Sequence, residues 1–301
     1  MSASSHQILT PEQAPLVLSP GELHDQDIHQ KLLPFQVSAE KATTAVGLYA
    51  ELKGLLAFDA EGDQPDSLVI TSINPQLAAA LWHQLETCEP RALRLSYSET
   101  EQIFQIKMPT PVHNCVCPWL LRVFQEWMQN GSMNTAEIQL LKYSTADTLM
   151  LFNGAFATNE KQEPDALIRA TGQRYPTVCF EVGWSESQPL LERDMRGLLV
   201  GGQDKINVVI LIKWTKRTAG VGGKVQVWRL DAAGVPRKDQ EETIFPTPTA
   251  TQSPLLLTRQ EVFGAALLPE RNPADLFPFS LDDLRAEAAD ALMTLQNLTP
   301  L

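Results

Sequence analysis

Cysteine, long apolar runs and positive charge are all scarce in this 301-residue chain. Four cysteines are too few for a disulfide scaffold, and their positions form no obvious pairs. The longest apolar runs, such as VVILI at 208–212, are far shorter than the ~20 residues that a membrane-spanning helix needs. The 24 Lys and Arg residues face 36 Asp and Glu residues, and the resulting net charge of −12 argues against a surface that binds nucleic acid or anionic lipid everywhere.

The N-terminal sequence MSASSHQILTPEQAP has neither the basic start nor the apolar stretch of a signal peptide. We therefore expect an intracellular protein, in the cytoplasm or the nucleus, that does not enter a membrane. An apolar content of 44% and a charged content of 20% are typical of a folded chain. The composition is compatible with a homo-oligomer.

The chain divides into three predicted regions. Residues 1–34 show little periodicity and predict a loosely ordered leader. Residues 35–110 mix helical and strand-like patterns, and we expect an N-terminal α/β extension packed on a core. Residues 111–301 predict that core, with a C-terminal helix that begins after Ser280 as its N-cap. The predicted fold class is α/β, with a mixed β-sheet flanked by helices.

The core region has the most legible pattern of helices and strands. A helix is expected from Pro118, and another over 190–199. The predicted strands are 137–143, 148–156, 165–170, 177–182, the apolar run 206–214 and a probable edge strand, KVQVWRL at 224–230.

Two acidic residues stand out by their placement on successive predicted strands. Asp165 follows Pro164 at the start of one strand, and Glu181 lies in the middle of the next, apolar strand. A Glu in such a strand is costly to bury unless a cation or hydrogen-bond donor pairs with it. If the two strands pair, the carboxylates converge on one point, as a Mg²⁺ site requires.

The order PD…EV within helix–strands–helix–strand resembles the PD-(D/E)xK nuclease superfamily, which has the restriction-endonuclease-like fold. The block from PDALIRA to EVGWSES and on to VVILIKW is also similar to a group of uncharacterised fungal proteins. The resemblance covers about residues 118–230. It implies a restriction-endonuclease-like core and metal-dependent cleavage of phosphodiester bonds.

The resemblance also implies roles for individual residues. Asp165, Glu181 and the main-chain carbonyl of Val182 would hold Mg²⁺ or Mn²⁺. The family lysine belongs two residues after the Glu, where this chain has Gly183. Lys213 is the preferred substitute, since a lysine can lose its proton when desolvated whereas an arginine cannot. The other two candidates are Arg193 and Arg196. Without a substitute, the chain would be a catalytically inactive interaction module.

Each of these residues also has a purely structural interpretation. Glu181 could be a buried carboxylate held by Arg193 or by the amides of the SES segment, and Asp165 could be an ordinary turn residue. Lys213 could extend to water from the strand end. Glu126 on the Pro118 helix could be an additional acidic residue of the family's site or a solvated side chain.

Positive charge is concentrated after the proposed catalytic strands. Between Lys205 and Lys238, eight basic residues face one acidic residue, so this region carries +7 and the rest of the chain −19. A confined basic region beside a metal site would suit a nuclease. The nucleic-acid-binding residues predicted there are Lys216, Arg217, Lys224 and Arg229. A solvated hairpin face balanced by acidic neighbours is the competing interpretation.

Three weaker motifs compete with the nuclease assignment. GWSES imitates a nucleophile elbow around Ser185, but every histidine precedes that serine, contrary to the order in α/β-hydrolases. The segment from His113 to Cys117 has one residue between its cysteines, which is too few for an ordinary zinc pair. GVGGK at 220–224 lacks the first glycine and the final Ser/Thr of a phosphate loop, and predicts a hairpin.

Overall fold

A computed structural model describes residues 35–56, 65–89, 92–145, 147–150, 156, 160–184, 186–202 and 204–301. The predicted leader at 1–34 and Ser185 lie outside the described residues. Within the described part of the chain, no helix is both long and apolar enough to cross a bilayer.

Two six-stranded sheets make up most of the structure. Sheet A contains β1 to β4, β6 and β7, and sheet B contains β5 and β8 to β12. The strand bounds are β1 Phe35–Ser38, β2 Ser67–Thr71, β3 Arg94–Ser98, β4 Ile103–Lys107, β5 Leu141–Ser144, β6 Leu149–Met150, β7 Lys161–Gln162, β8 Ala166–Ala170, β9 Val178–Gly183, β10 Val208–Arg217, β11 Gly220–Leu230, β12 Pro236–Phe245, β13 Leu255–Thr258 and β14 Leu276–Phe279. The last two form a separate antiparallel pair.

Helices flank both sheets. Their bounds are α1 Ala45–Leu52, α2 Pro75–Cys88, α3 Pro111–Asn114, α4 Val116–Gln129, α5 Thr135–Leu140, α6 Gln188–Gly201, α7 Arg259–Phe263 and α8 Leu281–Asp290. The prediction of a mixed α/β fold with helices around the sheet is confirmed at this level.

Sheet A has the order β1-β2-β4-β3-β7-β6. Helices α1 and α2 share an apolar cluster with its strands, which includes Leu52, Leu81 and Phe104. The strands β6 and β7 come from the connection between β5 and β8, so the sheet that begins in the N-terminal region is completed by a segment of the predicted core. Within this connection β7 pairs with β3, and β6 forms the outer strand at that end of sheet A.

Sheet B has the order β12-β11-β10-β9-β8-β5. Strands β9 and β10 are parallel and are joined by α6, whereas the remaining neighbours are antiparallel. A parallel return of this kind needs a crossover, which the fourteen-residue α6 supplies. The chain order in this part is therefore α4, β5, β8, β9, α6, β10.

Helix α4 forms as its sequence pattern predicts. Pro118 lies in the first turn, where its missing N–H costs nothing. The apolar stripe, which includes Trp119, Val123 and Trp127, is buried against sheet B and β14. The indole of Trp119 also donates to the carbonyl of Ser280 at 2.8 Å, and the Ser280 hydroxyl caps α8 as predicted.

Two strand predictions need correction. The run at 137–143 begins as helix α5, because Asn134 and Glu137 form a capping box, and only its last residues enter β5. The run KVQVWRL lies inside β11 and is not at the edge of the sheet, because β12 pairs along its outer side. The sequence of β12, rich in charged residues, is typical of a protected edge strand and lacks a clear apolar alternation.

We predict that Gly223→Ala lowers the free energy of unfolding by about 1 to 3 kcal/mol. A Cβ at this position would lie 2.3 Å from Cζ3 of Trp214, a buried side chain on the neighbouring strand. Urea unfolding measures the loss, with Gly54→Ala as the control because a Cβ there has no heavy atom within 4 Å. Equal midpoints for Gly223→Ala and the unaltered chain would contradict this packing.

Candidate functional site

The antiparallel pairing of β8 and β9 brings Asp165 and Glu181 together. Ala166 is opposite Phe180, so the next step along both strands places Asp165 opposite Glu181. Both side chains lie on the sheet face covered by α6, since strand residues alternate between faces. Oδ2 of Asp165 accepts a hydrogen bond from the backbone N–H of Val182 at 2.7 Å, which fixes the carboxylate beside β9.

The cation between these carboxylates is Lys107, the last residue of β4. Its Nζ lies 2.6 Å from Oε2 of Glu181 and 3.8 Å from Oδ2 of Asp165. Two further carboxylates complete the group, with Oε2 of Glu186 at 3.3 Å and Oδ2 of Asp194 at 3.4 Å from the same nitrogen. We call these four acids and Lys107 the acidic centre.

The acidic centre lies between the two sheets and is almost fully enclosed. Glu181 has 0% of its surface exposed and Lys107 has 5%. Two side-chain amides of sheet A donate hydrogen bonds to these carboxylates. Gln162 donates to Oε1 of Glu181 at 2.8 Å, and Gln105 donates to Oε1 of Glu186 at 2.6 Å. Sheet A therefore supplies donors, and the acids come from sheet B and its connection through α6.

Acidic side chains outnumber basic ones in this enclosed volume. The four carboxylates face Lys107 and Arg193, whose Nη2 lies 2.9 Å from Oδ1 of Asp194. Burial raises the pKa of Glu181 to about 8, against the opposing effect of Lys107 and with a further increase from Asp165. Burial likewise raises the pKa of Glu186 to about 7. The same carboxylates hold the pKa of Lys107 well above its usual value although burial alone would lower it.

Several carboxylate oxygens of the centre lack a hydrogen-bond donor. Oδ1 of Asp165 is buried and has no hydrogen-bond partner in the described structure. Oε2 of Glu186 and Oδ2 of Asp194 also lack one, although both lie within ion-pair distance of Lys107. The ammonium group therefore attracts these two oxygens but does not donate a well-directed hydrogen bond to them. Such oxygens are available to a further cation.

The structure also accounts for the glycine at position 183. A Cβ at Gly183 would lie 2.8 Å from Cδ1 of Leu191, a buried side chain of α6, so this helix occupies the space of a longer side chain. Lys213 is opposite Gly183 on β10, and its Nζ donates to the carbonyl of Trp184 at 2.5 Å. The catalytic role of Lys213 stays a prediction, and Lys107 is the lysine that the structure gives as a contact of both Asp165 and Glu181.

The other candidate cations and acids have separate positions. Arg193 donates to Gln105 as well as to Asp194, so it lies at the border of the acidic centre. Arg196 is exposed on α6, and Glu126 is half-buried on α4. Glu186 lies in the EVGWSES block and Asp194 on the helix that follows it, but neither is among the site residues that the sequence predicts. The sequence contains no spacing that links Lys107 to the predicted pair, and a strand ending in a lysine is its only local signal.

Acidic neighbours balance part of the basic region. Lys224 pairs with Glu241 at 3.2 Å, and Arg229 pairs with Glu261 at 2.6 Å. Lys216 and Arg217 lie at the end of β10. The assignment of these four residues to a nucleic-acid interface stays a prediction.

The segment from His113 to Cys117 forms part of the buried structure. Nε2 of His113 lies 3.0 Å from Oδ2 of Asp66, and this partner raises the pKa of the imidazole although burial alone would lower it. Cys115 is buried and Cys117 is half-buried, and both are free thiols. Among the described residues, no group of three or more His, Cys, Asp or Glu side chains is arranged to hold a metal ion.

Comparison of the chain with protein-family models, with curated proteins and with solved structures gives no match in any of the three. The geometry of the acidic centre and the sequence motif that it contains are therefore the basis for inferring a function.

We predict that Lys107→Met lowers the free energy of unfolding by about 3 to 5 kcal/mol near pH 8, since it leaves four buried carboxylates with one flanking arginine. The loss should be smaller near pH 6. Carboxyl groups with a raised pKa in the folded state keep more protons than the unfolded chain above pH ~4.5, so the stability of the variant falls as the pH rises.

Urea unfolding of the variant at both pH values measures this difference. Lys224→Met is the matched control, because it removes an exposed lysine with a single carboxylate partner. An equal loss of stability for Lys107→Met at pH 6 and pH 8 would contradict the electrostatic account of the centre.

Proposed function

We propose that this chain is a metal-dependent phosphodiesterase that hydrolyses nucleic acid, with the acidic centre as its active site. The observation that carries the proposal is the convergence of Asp165 and Glu181 from adjacent strands, with an ammonium group beside them. Apart from the short α5 and the strands β6 and β7, which belong to sheet A, the chain order is α4, β5, β8, β9, α6, β10. This order supports a restriction-endonuclease-like core, which the PD…EVGWSES motif implies.

The donor chemistry of the residues present suits a Mg²⁺ or Mn²⁺ ion, although no group of three or more acidic, His or Cys side chains is prearranged for one among the described residues. The donors are carboxylate oxygens, of which Oδ1 of Asp165 is buried without a partner in the described structure. Mg²⁺ commonly takes only one or two carboxylates and keeps several waters, so a full protein cage is not required. Asp165, Glu181 and the carbonyl of Val182 would hold the ion, which would lower the pKa of the attacking water and stabilise charge on the phosphate.

Lys107 would supply the positive charge that the family lysine provides and that is missing at position 183, where this chain has a glycine. Its pKa lies well above the usual lysine value, so the group stays protonated at neutral pH. A protonated lysine cannot remove a proton from water. Lys107 would therefore act by stabilising the negative charge that develops on the phosphate oxygens as water attacks and the ester P–O bond breaks.

The enclosure of the centre favours a second candidate function. With Glu181 fully buried, a phosphodiester reaches the acids only if the side chains of Lys107, Gln105 and Gln162 move. A nuclease-fold module without activity would use the same ion pairs to join its two sheets and to present its surface to a partner. Activity of the purified chain separates the two candidates.

We predict that the chain nicks plasmid DNA, or cleaves RNA, in the presence of Mg²⁺ or Mn²⁺ and that EDTA stops the reaction. Asp165→Asn and Glu181→Gln should each lower the rate at least about a hundredfold, since each removes a metal ligand. Glu270→Gln makes the same chemical change at an exposed position and should leave the rate unaltered. Thermal melting of all variants checks the fold.

Absence of cleavage by the unaltered chain on both substrates with either metal would favour the inactive module. Cleavage by Glu181→Gln at the full rate would contradict the site itself. Lys107→Gln and Lys213→Gln then separate the two lysines: the account expects a large loss of rate for Lys107→Gln and a small one for Lys213→Gln.

A further inference from the structure

A second buried cation, Arg94, lies beside the acidic centre and takes no part in it. Arg94 begins β3 and is directly opposite Lys107 on β4, so both side chains lie on the same face of sheet A. Like charges in directly opposed positions of neighbouring strands destabilise a sheet. The acidic centre compensates Lys107, but its carboxylates are not ion-paired with Arg94.

The guanidinium group of Arg94 is poorly satisfied for so buried a charge. Only 5% of the residue is exposed. In the described structure its one hydrogen bond runs from Nη1 to the carbonyl of Leu93 at 3.2 Å, and its Nε has no partner. A buried charge without a counter-ion is costly, and a guanidinium has five donors to satisfy.

Arg94 lines the same narrow cleft as Lys107, Glu181 and Asp194, and in this conformation the cleft has no room for a water molecule. Arg94 also acts on Glu163, whose pKa is raised by burial and lowered in part by hydrogen bonds from Thr148 and Leu95 and by the charge of Arg94. The Glu163 carboxylate is already occupied, since Oε1 accepts from Thr148 and Oε2 accepts from the backbone of Leu95. The unsatisfied donors of Arg94 therefore lie next to the proposed metal ligands.

We propose that Arg94 binds a phosphate group of the nucleic-acid substrate beside the acidic centre. This inference rests on the proposed function, because it names the residue that anchors the substrate of that same site. A guanidinium matches the oxygens of a phosphate in a bidentate manner, and its weak hydration suits an enclosed position. The cleft has to widen to admit the phosphate, and its lining is polar apart from Leu95 and the aliphatic stems.

Binding of a fluorescein-labelled single-stranded oligonucleotide, measured by anisotropy over a range of salt concentrations, tests this role. The measurement uses Glu181→Gln as background so that the probe stays intact. Adding Arg94→Gln should weaken binding about tenfold or more. It should also reduce the slope of log K against log salt by about 0.7, which corresponds to one lost contact with a phosphate of a single strand.

Arg94→Lys should retain the salt slope but lose part of the affinity, because it keeps the charge and lacks the bidentate geometry. Arg122→Gln is the matched control: it removes an exposed arginine of α4, and neither affinity nor slope should change. Arg94→Gln should melt at the same temperature as its background or higher, since the guanidinium has a single hydrogen bond and no ion pair in the described structure. If the role of Arg94 were purely structural, Arg94→Gln would instead lower the melting temperature.

The inference is overturned if Arg94→Gln binds the oligonucleotide with unchanged affinity and slope, or if the chain binds no oligonucleotide. Its failure is distinct from failure of the proposed function. If cleavage requires the metal and Glu181 but Arg94→Gln leaves the salt slope unchanged, only the role of Arg94 as the anchor is refuted. An Arg94-dependent slope in a chain that cleaves nothing supports the anchor and refutes the hydrolysis.

Discussion

The ammonium group of Lys107 joins the two sheets at the acidic centre, and the arrangement of the site depends on it. Sheet A contributes this cation and two amides, while sheet B and α6 contribute four carboxylates. Without the cation, the carboxylates would repel one another in a volume with little water. The same ion pairs therefore hold sheet A against sheet B and fix the positions of the Asp165 and Glu181 carboxylates.

A buried group of charges such as the acidic centre contributes little net free energy to the stability of a fold. Buried ion pairs regain only part of the desolvation energy of their charges, and apolar side chains of similar volume commonly stabilise as much or more. This chain has large apolar clusters on both sheets, so it does not lack that alternative. The proposed divalent cation would account for the buried carboxylate oxygens that lack a donor in the described structure. Perturbed pKa values such as those of Glu181 and Glu186 cluster at functional sites.

Part of this site follows from the sequence alone. Asp165 and Glu181 are on consecutive strands, so local alternation and a short connection suffice to place them together. Lys107 could not be found in this way, because it is 74 residues from Glu181 and reaches it only through the packing of two sheets. The helix α5 shows a related limit: its apolar residues fit a strand equally well, and the capping box of Asn134 and Glu137 decides for a helix. Patterns in the sequence can thus identify site residues that lie on adjacent strands. Site residues that meet only through contacts between the two sheets can be identified only from the structure.

The central claim is that the acidic centre binds a divalent cation between Asp165 and Glu181. Anomalous diffraction from crystals of the full chain soaked in Mn²⁺, with data collected at the manganese edge, tests it most directly. The account predicts a peak about 2.0 to 2.2 Å from one carboxylate oxygen of each residue. A map without a peak, in which Lys107 still lies at 2.6 Å from Glu181, would contradict it.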